Sequence, residues 1–401
     1  MKILAKHLFL IYTGWICIAT GLLTNQFFMA YLFSDGGAIS SSAYNIAIWV
    51  FNCVMIFIGL VLIKNKSFNK SIIHICINIL IIFLLVFMLE SVFYLLNTKK
   101  NNEVLIQENY VLQDSLLGYK PKPDKKVHSK KIIKDITVYD VTYTIDKYGR
   151  RYTPTDSSTK NRFAIFFGCS HVFGAGVNDN ETLPYYFGTL DDNYHSYNYG
   201  FLGYGPQQML ALLESGALTD QIQKNNGVAL YLFTDDHVQR AVGSMTVYNL
   251  WGENMPYYVI DDDTLLRKGN FTTGRSFISF IYKILGKSNI VDYFNISFPI
   301  KINNEHLNLT ALVIAKAADY YKSQFNNDNF YVLFKPESKY VNALAPMLND
   351  RNVNFLDYTN LFNKTDSAMY IIGDGHPSAE ANKRLAKKLV KDISKMLLSP
   401  Q

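Results

Sequence analysis

Long apolar runs dominate the first hundred residues of the chain. They cover residues 8–33, 44–63 and 72–96 and contain almost no charged side chains. About 20 consecutive apolar residues are enough for a helix to cross the hydrocarbon core of a bilayer. The pattern predicts three transmembrane helices within residues 1–96. Buried core helices are the alternative, because an apolar run does not by itself reveal what covers it.

The lysines around these runs predict an orientation. They precede the first run and separate the second from the third: Lys2, Lys6, Lys64, Lys66 and Lys70. The first loop, residues 34–43, has no Lys or Arg. The positive-inside rule then places the N-terminus in the cytoplasm and everything after residue 96 outside. We therefore expect a multi-pass protein of a bacterial-type inner membrane, with an extracytoplasmic C-terminal region.

Residues 97–160 have a different composition. Within them, residues 97–134 contain Pro121, Pro123 and a cluster of lysines, which are typical of a juxtamembrane linker, and the lysines could contact lipid headgroups. Residues 136–144 are β-branched and aromatic, and residues 146–149 form a turn signal, so a small strand pair is expected here.

From residue 161 to 401, apolar strand-like segments alternate with helical ones. Strands are predicted at residues 163–167, 196–199, 228–233, 330–334 and 353–356. Helices are predicted at 182–190, 207–215, 307–324, 339–348 and 378–398. This order predicts an α/β domain with a doubly wound parallel sheet and helices on both faces. An insertion at about 237–306 interrupts it, with a hairpin at 257–260 and 264–267.

Composition and charge exclude several classes of function. The net charge of +6 comes from scattered Lys and Arg, without a basic stripe carrying stacking aromatics, so nucleic acid is not an expected partner. The four cysteines show neither metal-ligand spacing nor a disulfide framework. No phosphate-binding loop or dinucleotide fingerprint occurs, so neither a metal nor another cofactor is expected.

Two short motifs carry candidate chemistry. Ser170 follows the 163–167 strand on a turn that Gly168 and Cys169 open, and such a turn presents a serine hydroxyl at the end of a sheet. Near the other end of the chain, Asp374 and His376 supply an orienting acid and a base. Ser170 as a helix N-cap and His376 as an ordinary loop residue are the alternatives. Cys169 is a second possible nucleophile that the motif register does not favour.

Residues 161–397 resemble the SGNH (GDSL-type) hydrolase superfamily. Gly168-Cys169-Ser170 stands where that family has Gly-Asp-Ser, and Asp374-Gly375-His376-Pro377 resembles its final block. Residues 198–203 resemble the second block, in which Gly203 fits the oxyanion position. The resemblance implies a flavodoxin-like α/β/α fold and a catalytic triad of Ser170, His376 and Asp374.

The chain departs from the family pattern in two places. Asp374 precedes His376 by two residues rather than three, which still puts both on one face of an extended segment. The third block normally supplies an Asn amide, whereas here the third strand is followed by Asp235, Asp236 and His237. An ionised Asp cannot donate to an oxyanion. We expect these three residues to line the substrate pocket, and a salt-bridged strand end is the alternative.

Together these features predict a membrane-anchored, extracytoplasmic serine esterase or acyltransferase. It would remove or transfer an acyl group, acetyl above all, on a cell-surface glycan or a lipid. Its expected partners are that acyl-ester substrate and membrane lipid, and the sequence does not indicate protein partners. The missing Asn supports an alternative, a catalytically weak module that binds a glycan or a partner in an envelope assembly.

Overall fold

The computed structural model describes residues 2–24, 42–64, 70–97, 103–155, 159–222, 224, 226–262, 264–363 and 365–398. The chain divides into two compact units. The first comprises Met1–Lys99 and Lys283–Asn295, and the second comprises Lys100–Tyr282 and Ile296–Gln401.

Three long helices form most of the first unit: α1 (Lys2–Leu23), α2 (Ser42–Lys64) and α3 (Lys70–Asn97). Helices α1 and α2 pack together around the buried side chains of Cys17, Met55, Ile58 and Leu62. On α3, Glu90 accepts a hydrogen bond of 2.7 Å from the Asn289 N–H, so this carboxylate binds the first residue of the short helix Asn289–Tyr293.

The prediction of three transmembrane helices is wrong. Among the described residues, no helix has both the length and the apolarity that crossing a bilayer requires. The multi-pass inner-membrane location that we deduced from those spans is overturned with it. An apolar run does not distinguish a lipid-facing helix from one that buries side chains on a neighbour, as α1 and α2 do. Residues 25–41 and 65–69, which the prediction placed partly in loops, lie outside the described residues.

The second unit contains all twelve described strands. They are β1 (Glu103–Gln107), β2 (Val111–Asp114), β3 (Gly118–Pro121), β4 (Lys125–Ile133), β5 (Ile136–Ile145), β6 (Arg162–Phe167), β7 (Tyr194–Asn198), β8 (Gly227–Phe233), β9 (Pro256–Asp261), β10 (Thr264–Asn270), β11 (Phe330–Phe334) and β12 (Asn354–Asp357). Five of them form a parallel sheet in the order β12-β11-β8-β6-β7. The chain passes from β6 to β7 on one side and then crosses to β8 on the other side of β6, which makes the sheet doubly wound. The predicted α/β class with a parallel sheet is confirmed.

Helices cover both faces of this sheet. The helices of the second unit that follow α3 are α4 (Ser170–Phe173), α5 (Leu183–Leu190), α6 (Pro206–Glu214), α7 (Ala217–Gln221), α8 (Asp236–Val242), α9 (Met245–Val247), α10 (Phe271–Gly274), α11 (Asn304–Phe325), α12 (Val341–Asn349) and α13 (Ala379–Leu398). Short 3₁₀ or π turns occupy Asp179–Glu181, Tyr248–Gly252 and Ser367–Met369, and the helix Ser276–Leu285 runs across the division between the units.

Strand β6 shows how the sheet is buried on both sides. Phe163, Ile165 and Phe167 point into one apolar core, which α11 also lines. Ala164 and Phe166 point into the opposite core, which α13 lines. Side chains alternate across a strand, so a continuous apolar run is what two buried faces require.

The segment predicted as a linker is folded. Strands β1, β4 and β5 form an antiparallel sheet, and β2 pairs with β3. The sequence pattern predicts a strand pair at the turn of residues 146–149. In the structure β5 pairs with β4, which precedes it, and beyond that turn Ile145 makes one isolated bridge with Arg151. Only Val127 and Ser129 of β4 are fully buried, and most of its other positions are lysines. The alternation of buried and exposed residues that marks a strand is therefore hard to recognise in this sequence.

Candidate active site

Ser170 lies on a tight turn at the carboxyl end of β6. Gly168 has a φ of 154°, and a Cβ added to it would come within 2.6 Å of the Val172 side chain. Only glycine fits there. The chain then enters the short helix α4, which begins at Ser170 and ends at Gly174 in the left-handed conformation. This turn leaves the Ser170 hydroxyl half-buried at the edge where the parallel strands end.

Asp374 and His376 lie on a turn that precedes α13. The N–H groups of Asp374 and Gly375 both donate to the Ile371 carbonyl at 3.0 Å, and the Ile371 N–H donates to the His376 carbonyl at 2.8 Å. Gly375 has a φ of 86°. The two-residue spacing therefore works through a turn and not through the extended segment that we expected.

The structure brings Ser170, His376 and Asp374 together. The Ser170 hydroxyl lies 2.8 Å from His376 Nε2, and His376 Nδ1 forms a short hydrogen bond with Asp374 Oδ1. With the proton on Nδ1, the ring donates to the carboxylate and accepts from the serine. This is the arrangement in which a histidine acts as a base towards a hydroxyl.

Asp374 is held in its ionised form. Burial would raise the pKa of this carboxyl group, but hydrogen bonds from His376 and Lys131 outweigh it and lower the pKa to about 2. Lys131 Nζ lies 2.9 Å from Asp374 Oδ2, on the side away from the histidine. Asp374 therefore carries its charge throughout the neutral pH range.

His171 follows the serine, and its ring lies 5.4 Å from that of His376 between ring centroids. Desolvation lowers the pKa of His171 to about 3, and the nearby Lys335 and Arg240 act in the same direction. The ring is therefore neutral at neutral pH.

Gly203 lies on a turn that is attached to the serine turn. The Phe201 N–H donates to the Gly168 carbonyl at 3.3 Å, and the amide of the buried Asn198 donates to the Val172 carbonyl at 2.8 Å. At Gly203 the φ is 71°, and an added Cβ would lie 2.6 Å from Trp251 Nε1. The Gly203 N–H makes no hydrogen bond within the described part of the chain. Its role as an oxyanion donor stays a prediction.

The three residues after β8 occupy different environments. Asp235 accepts hydrogen bonds from the Ser338 hydroxyl, at 2.7 Å, and from the Lys339 N–H. Asp236 is exposed and lies 3.7 Å from Arg240. His237 is 0% exposed, and its Nδ1 lies 2.6 Å from the Tyr231 hydroxyl. Burial holds the pKa of His237 well below its usual value. A neutral ring in the core has no surface to offer a substrate.

Arg240 and Cys169 form a buried pair beneath the serine turn. Burial raises the pKa of the Cys169 thiol, but hydrogen bonding and charge from Arg240, together with His171, outweigh it and lower the pKa to about 6. Cys169 is 1% exposed, so its sulfur cannot meet a substrate as Ser170 can. Arg240 also donates to the Tyr204 carbonyl at 2.8 Å.

A cleft of about 450 Å³ opens at the Gly203 turn. Arg240, Tyr119 and Trp251 line it together with Gly203. The Nε atom of Arg240 has no hydrogen-bond partner among the described residues. The cleft thus combines aromatic side chains with one buried cation.

Sequence reasoning missed the parts played by Lys131 and Asn198, and it considered Arg240 only as a salt-bridge partner of the residues after β8, where it lies 3.7 Å from Asp236. Lys131 is one of several lysines in a run that resembled a linker, and its pairing with Asp374 has no sequence signal. Asn198 did have a signal, because it opens the block that contains Gly203. Within the described residues, no group of three or more His, Cys, Asp or Glu is placed to hold a metal ion.

No family model and no curated protein matches the chain. Solved structures do. A lipolytic protein of the G-D-S-L family from Veillonella parvula is 14% identical, with 58% of this chain and 98% of that one covered and a TM-score of 0.32. A putative GDSL-like lipase from Bacteroides ovatus is 12% identical, with 74% and 75% covered and a TM-score of 0.34.

An acetyl xylan esterase from the rumen bacterium Butyrivibrio proteoclasticus is 12% identical, with 61% of this chain and 66% of that one covered and a TM-score of 0.35. The chain is thus similar to GDSL/SGNH hydrolases, the group that its motifs resemble. At these TM-scores the likeness carries no argument about activity, which has to rest on the geometry of the site.

Proposed function

We propose that this protein is a serine esterase or acyltransferase that acts on acyl esters. The observation that carries the proposal is the hydrogen-bonded series from the Ser170 hydroxyl through His376 to Asp374. These groups come from two segments 206 residues apart in the chain. A structural helix cap would not need a histidine and an ionised carboxylate in line with it.

The proposed reaction follows from this geometry. His376 accepts the Ser170 proton as the serine oxygen attacks the ester carbonyl carbon, and Asp374 stabilises the resulting imidazolium. When the tetrahedral intermediate collapses, the imidazolium gives its proton to the departing alcohol, and an acyl-serine remains. Water, or an acceptor hydroxyl in the case of transfer, then takes the acyl group by the same steps in reverse.

The oxyanion would be bound by the N–H groups of Ser170 and Gly203. As the first residue of α4, Ser170 has no acceptor for its N–H within that helix. Neither Asp235 nor His237 is free to serve as the third donor, for the reasons given above. Loss of one such donor typically costs about 10²–10³ in kcat. We therefore expect a slow enzyme.

The substrate we favour is a small acyl ester, such as acetyl, carried on a glycan. We assign the glycan to the cleft at Gly203, where Trp251 is 37% exposed beside Tyr119 and Arg240. Ser170 and His376 do not line this cleft, so Gly203 is what connects it to the proposed chemistry. Aromatic faces with a few polar groups suit a ring that is apolar on its faces and polar at its edge. A lipid ester remains the alternative substrate within the same proposal.

A second candidate function is that of a binding module with little turnover. The environment of the β8 end favours it, because Asp235 is engaged by Ser338 and His237 is buried, so neither of these residues replaces the missing Asn. Such a module would retain the cleft as a binding site but would hydrolyse or transfer esters only slowly.

A fluorophosphonate probe separates the two candidates. Folded wild-type protein should be labelled covalently, Ser170→Ala should not be labelled, and Cys169→Ala should be labelled as the wild type is. The cysteine variant is the matched control, because it changes the neighbouring nucleophile. Mass spectrometry should place the adduct on Ser170. Folded wild-type protein that shows neither labelling nor hydrolysis of p-nitrophenyl acetate would favour the binding module.

A further inference from the structure

We infer that Lys131 is a positioning residue for this site, whose ammonium group fixes Asp374 and tunes the basicity of His376. The inference rests on the proposed function only for its catalytic consequence. The contact itself is independent of any reaction. Lys131 lies on β4, in the antiparallel sheet that precedes the parallel one, 243 residues from Asp374 along the chain.

The contact is close and shielded. Lys131 Nζ lies 2.9 Å from Asp374 Oδ2 and 2.9 Å from Glu103 Oε1. The exposed fractions of the Lys131 and Asp374 side chains are only 14% and 7%. An ion pair held in this way is screened less by salt than a surface pair. Each oxygen of the Asp374 carboxylate thus has its own partner, His376 on Oδ1 and Lys131 on Oδ2.

The backbone hydrogen bonds of the turn hold the main chain of Asp374 but do not by themselves fix the direction of its side chain. A Cβ added to Gly375 would meet no atom within 4 Å, so nothing packs against the turn at that position. Glycine is also the residue with the greatest backbone freedom. A carboxylate on such a turn needs a second anchor if it is to face the imidazole steadily. Lys131 provides that anchor from a different sheet.

The ammonium charge also acts on the histidine. The charged and titratable groups around the pair come from several elements: Glu103 on β1, Tyr139 on β5, His171 on α4, and Lys335 and Arg240, which face His171. Among them, Lys131 is the cation bound to the carboxylate that stabilises the imidazolium. It therefore offsets part of that stabilisation.

The direction of this effect follows from the charges. The Lys131 cation disfavours a second positive charge on the nearby imidazole, and Glu103 neutralises part of the lysine charge. Removal of Lys131 should move the titration upwards, and removal of the Glu103 charge should move it downwards by less.

The test compares pH profiles of kcat/KM for p-nitrophenyl acetate in wild type, Lys131→Met, Lys131→Arg and Glu103→Gln. The acid limb of such a profile reports the pKa of the catalytic base in the free enzyme. Lys130→Met is the matched control, because Lys130 is the adjacent residue on β4 and pairs with Asp140 at 2.9 Å instead. Lys131→Met should shift the limb upwards and lower kcat about tenfold through misorientation. Lys131→Arg and Lys130→Met should leave the limb in place.

Histidine-selective NMR measures the same quantity without turnover. The Cε1 resonance of His376, assigned through His376→Asn, should titrate at higher pH in Lys131→Met and at slightly lower pH in Glu103→Gln. This measurement decides the inference even if the wild type has no esterase activity, an outcome that would overturn only the proposed function. An unchanged midpoint in Lys131→Met, or lost activity with an unmoved midpoint, would overturn the inference. If Lys131→Met fails to fold, Glu103→Gln decides: a downward shift supports the inference, and no shift overturns it.

Discussion

Replacing Asp374 by Asn tests the site most directly. The variant keeps the size of the side chain but removes the charge that faces His376 and Lys131. In the wild type, despite burial, hydrogen bonds from His376 and Lys131 lower the pKa of Asp374 from its usual 3.8 to about 2. Since one pKa unit corresponds to about 1.4 kcal/mol, the carboxylate gains roughly 2 kcal/mol from its partners, about 60-fold in an equilibrium.

A change in the tautomer of His376 adds to the loss of the carboxylate charge. An Asn amide that donates to Nδ1 would force the ring proton onto Nε2, so His376 could no longer accept the serine proton. In other triads this change costs about 10⁴ in kcat. We therefore expect Asp374→Asn to lower kcat between about 10² and 10⁴ with an unchanged fold.

The assay is the steady-state hydrolysis of p-nitrophenyl acetate together with the rate of fluorophosphonate labelling, with circular dichroism as the check on folding. Asp140→Asn is the matched control, because Asp140 also contacts a histidine and a lysine, His128 and Lys130, but on an exposed surface. It should retain wild-type activity. Turnover by Asp374→Asn within about threefold of the wild type would show that this carboxylate does not orient the base.

Three further outcomes are expected. Because the pKa of Asp374 is lowered in the folded state, about 2 kcal/mol of stability is present above pH ~4 and is lost as the pH falls to ~2. Urea unfolding should show this loss in the wild type, and a loss of the same size in Asp374→Asn would contradict the prediction. Arg151→Met should destabilise the protein by about 3–5 kcal/mol in urea unfolding, because it removes a wholly buried cation from its partner Asp179 and from several backbone carbonyls. Arg162→Met is the control and should cost less than about 1 kcal/mol, because the Arg162 guanidinium makes only a hydrogen bond of 3.4 Å to the Tyr194 hydroxyl among the described residues. Gly203→Ala should lower kcat at least tenfold, because its Cβ would press on Trp251 and tilt the predicted oxyanion N–H. It should also lower the free energy of unfolding by about 1–3 kcal/mol, since alanine is strained at a φ of 71°. Equal kcat in the two folded proteins would argue against that N–H as a donor.

The parallel sheet was predictable because its strands carry their own signal. Residues 330–334 were predicted as a strand and are one, and the other four strands of the sheet differ from the prediction by at most two residues at either end. The hydrophobic pattern did not predict a strand that buries only one face and carries charged residues on the other. Strand β4 is an example: its lysines are typical of a linker, and only its pairing with β1 and β5 reveals it as a strand. The apolar runs at the N-terminus misled in the opposite sense, since their hydrophobicity indicated membrane spans that are not found among the residues the structure describes.

The candidate site was predictable where one segment holds its residues. The serine turn and the Asp374–His376 pair each form a local motif, and the sequence named all three residues, whose catalytic roles stay a prediction. The residues after β8 were expected together in the pocket because they are adjacent in sequence. In the structure they separate, because a helix begins there and sends His237 into the core while Asp236 faces solvent.

The sequence by itself determined the strands of the parallel sheet and the turn that presents Ser170, because these depend on local periodicity and on glycines at fixed positions. It also named His376, whose role as the base stays a prediction. Only the tertiary structure decided which distant side chains meet them. The pairing of Lys131 with Asp374 depends on how one sheet packs beside another, and the pairing of Arg240 with Cys169 depends on β8 lying next to β6 in the parallel sheet. Such contacts join residues far apart in the chain, and no periodicity records the packing that brings them together.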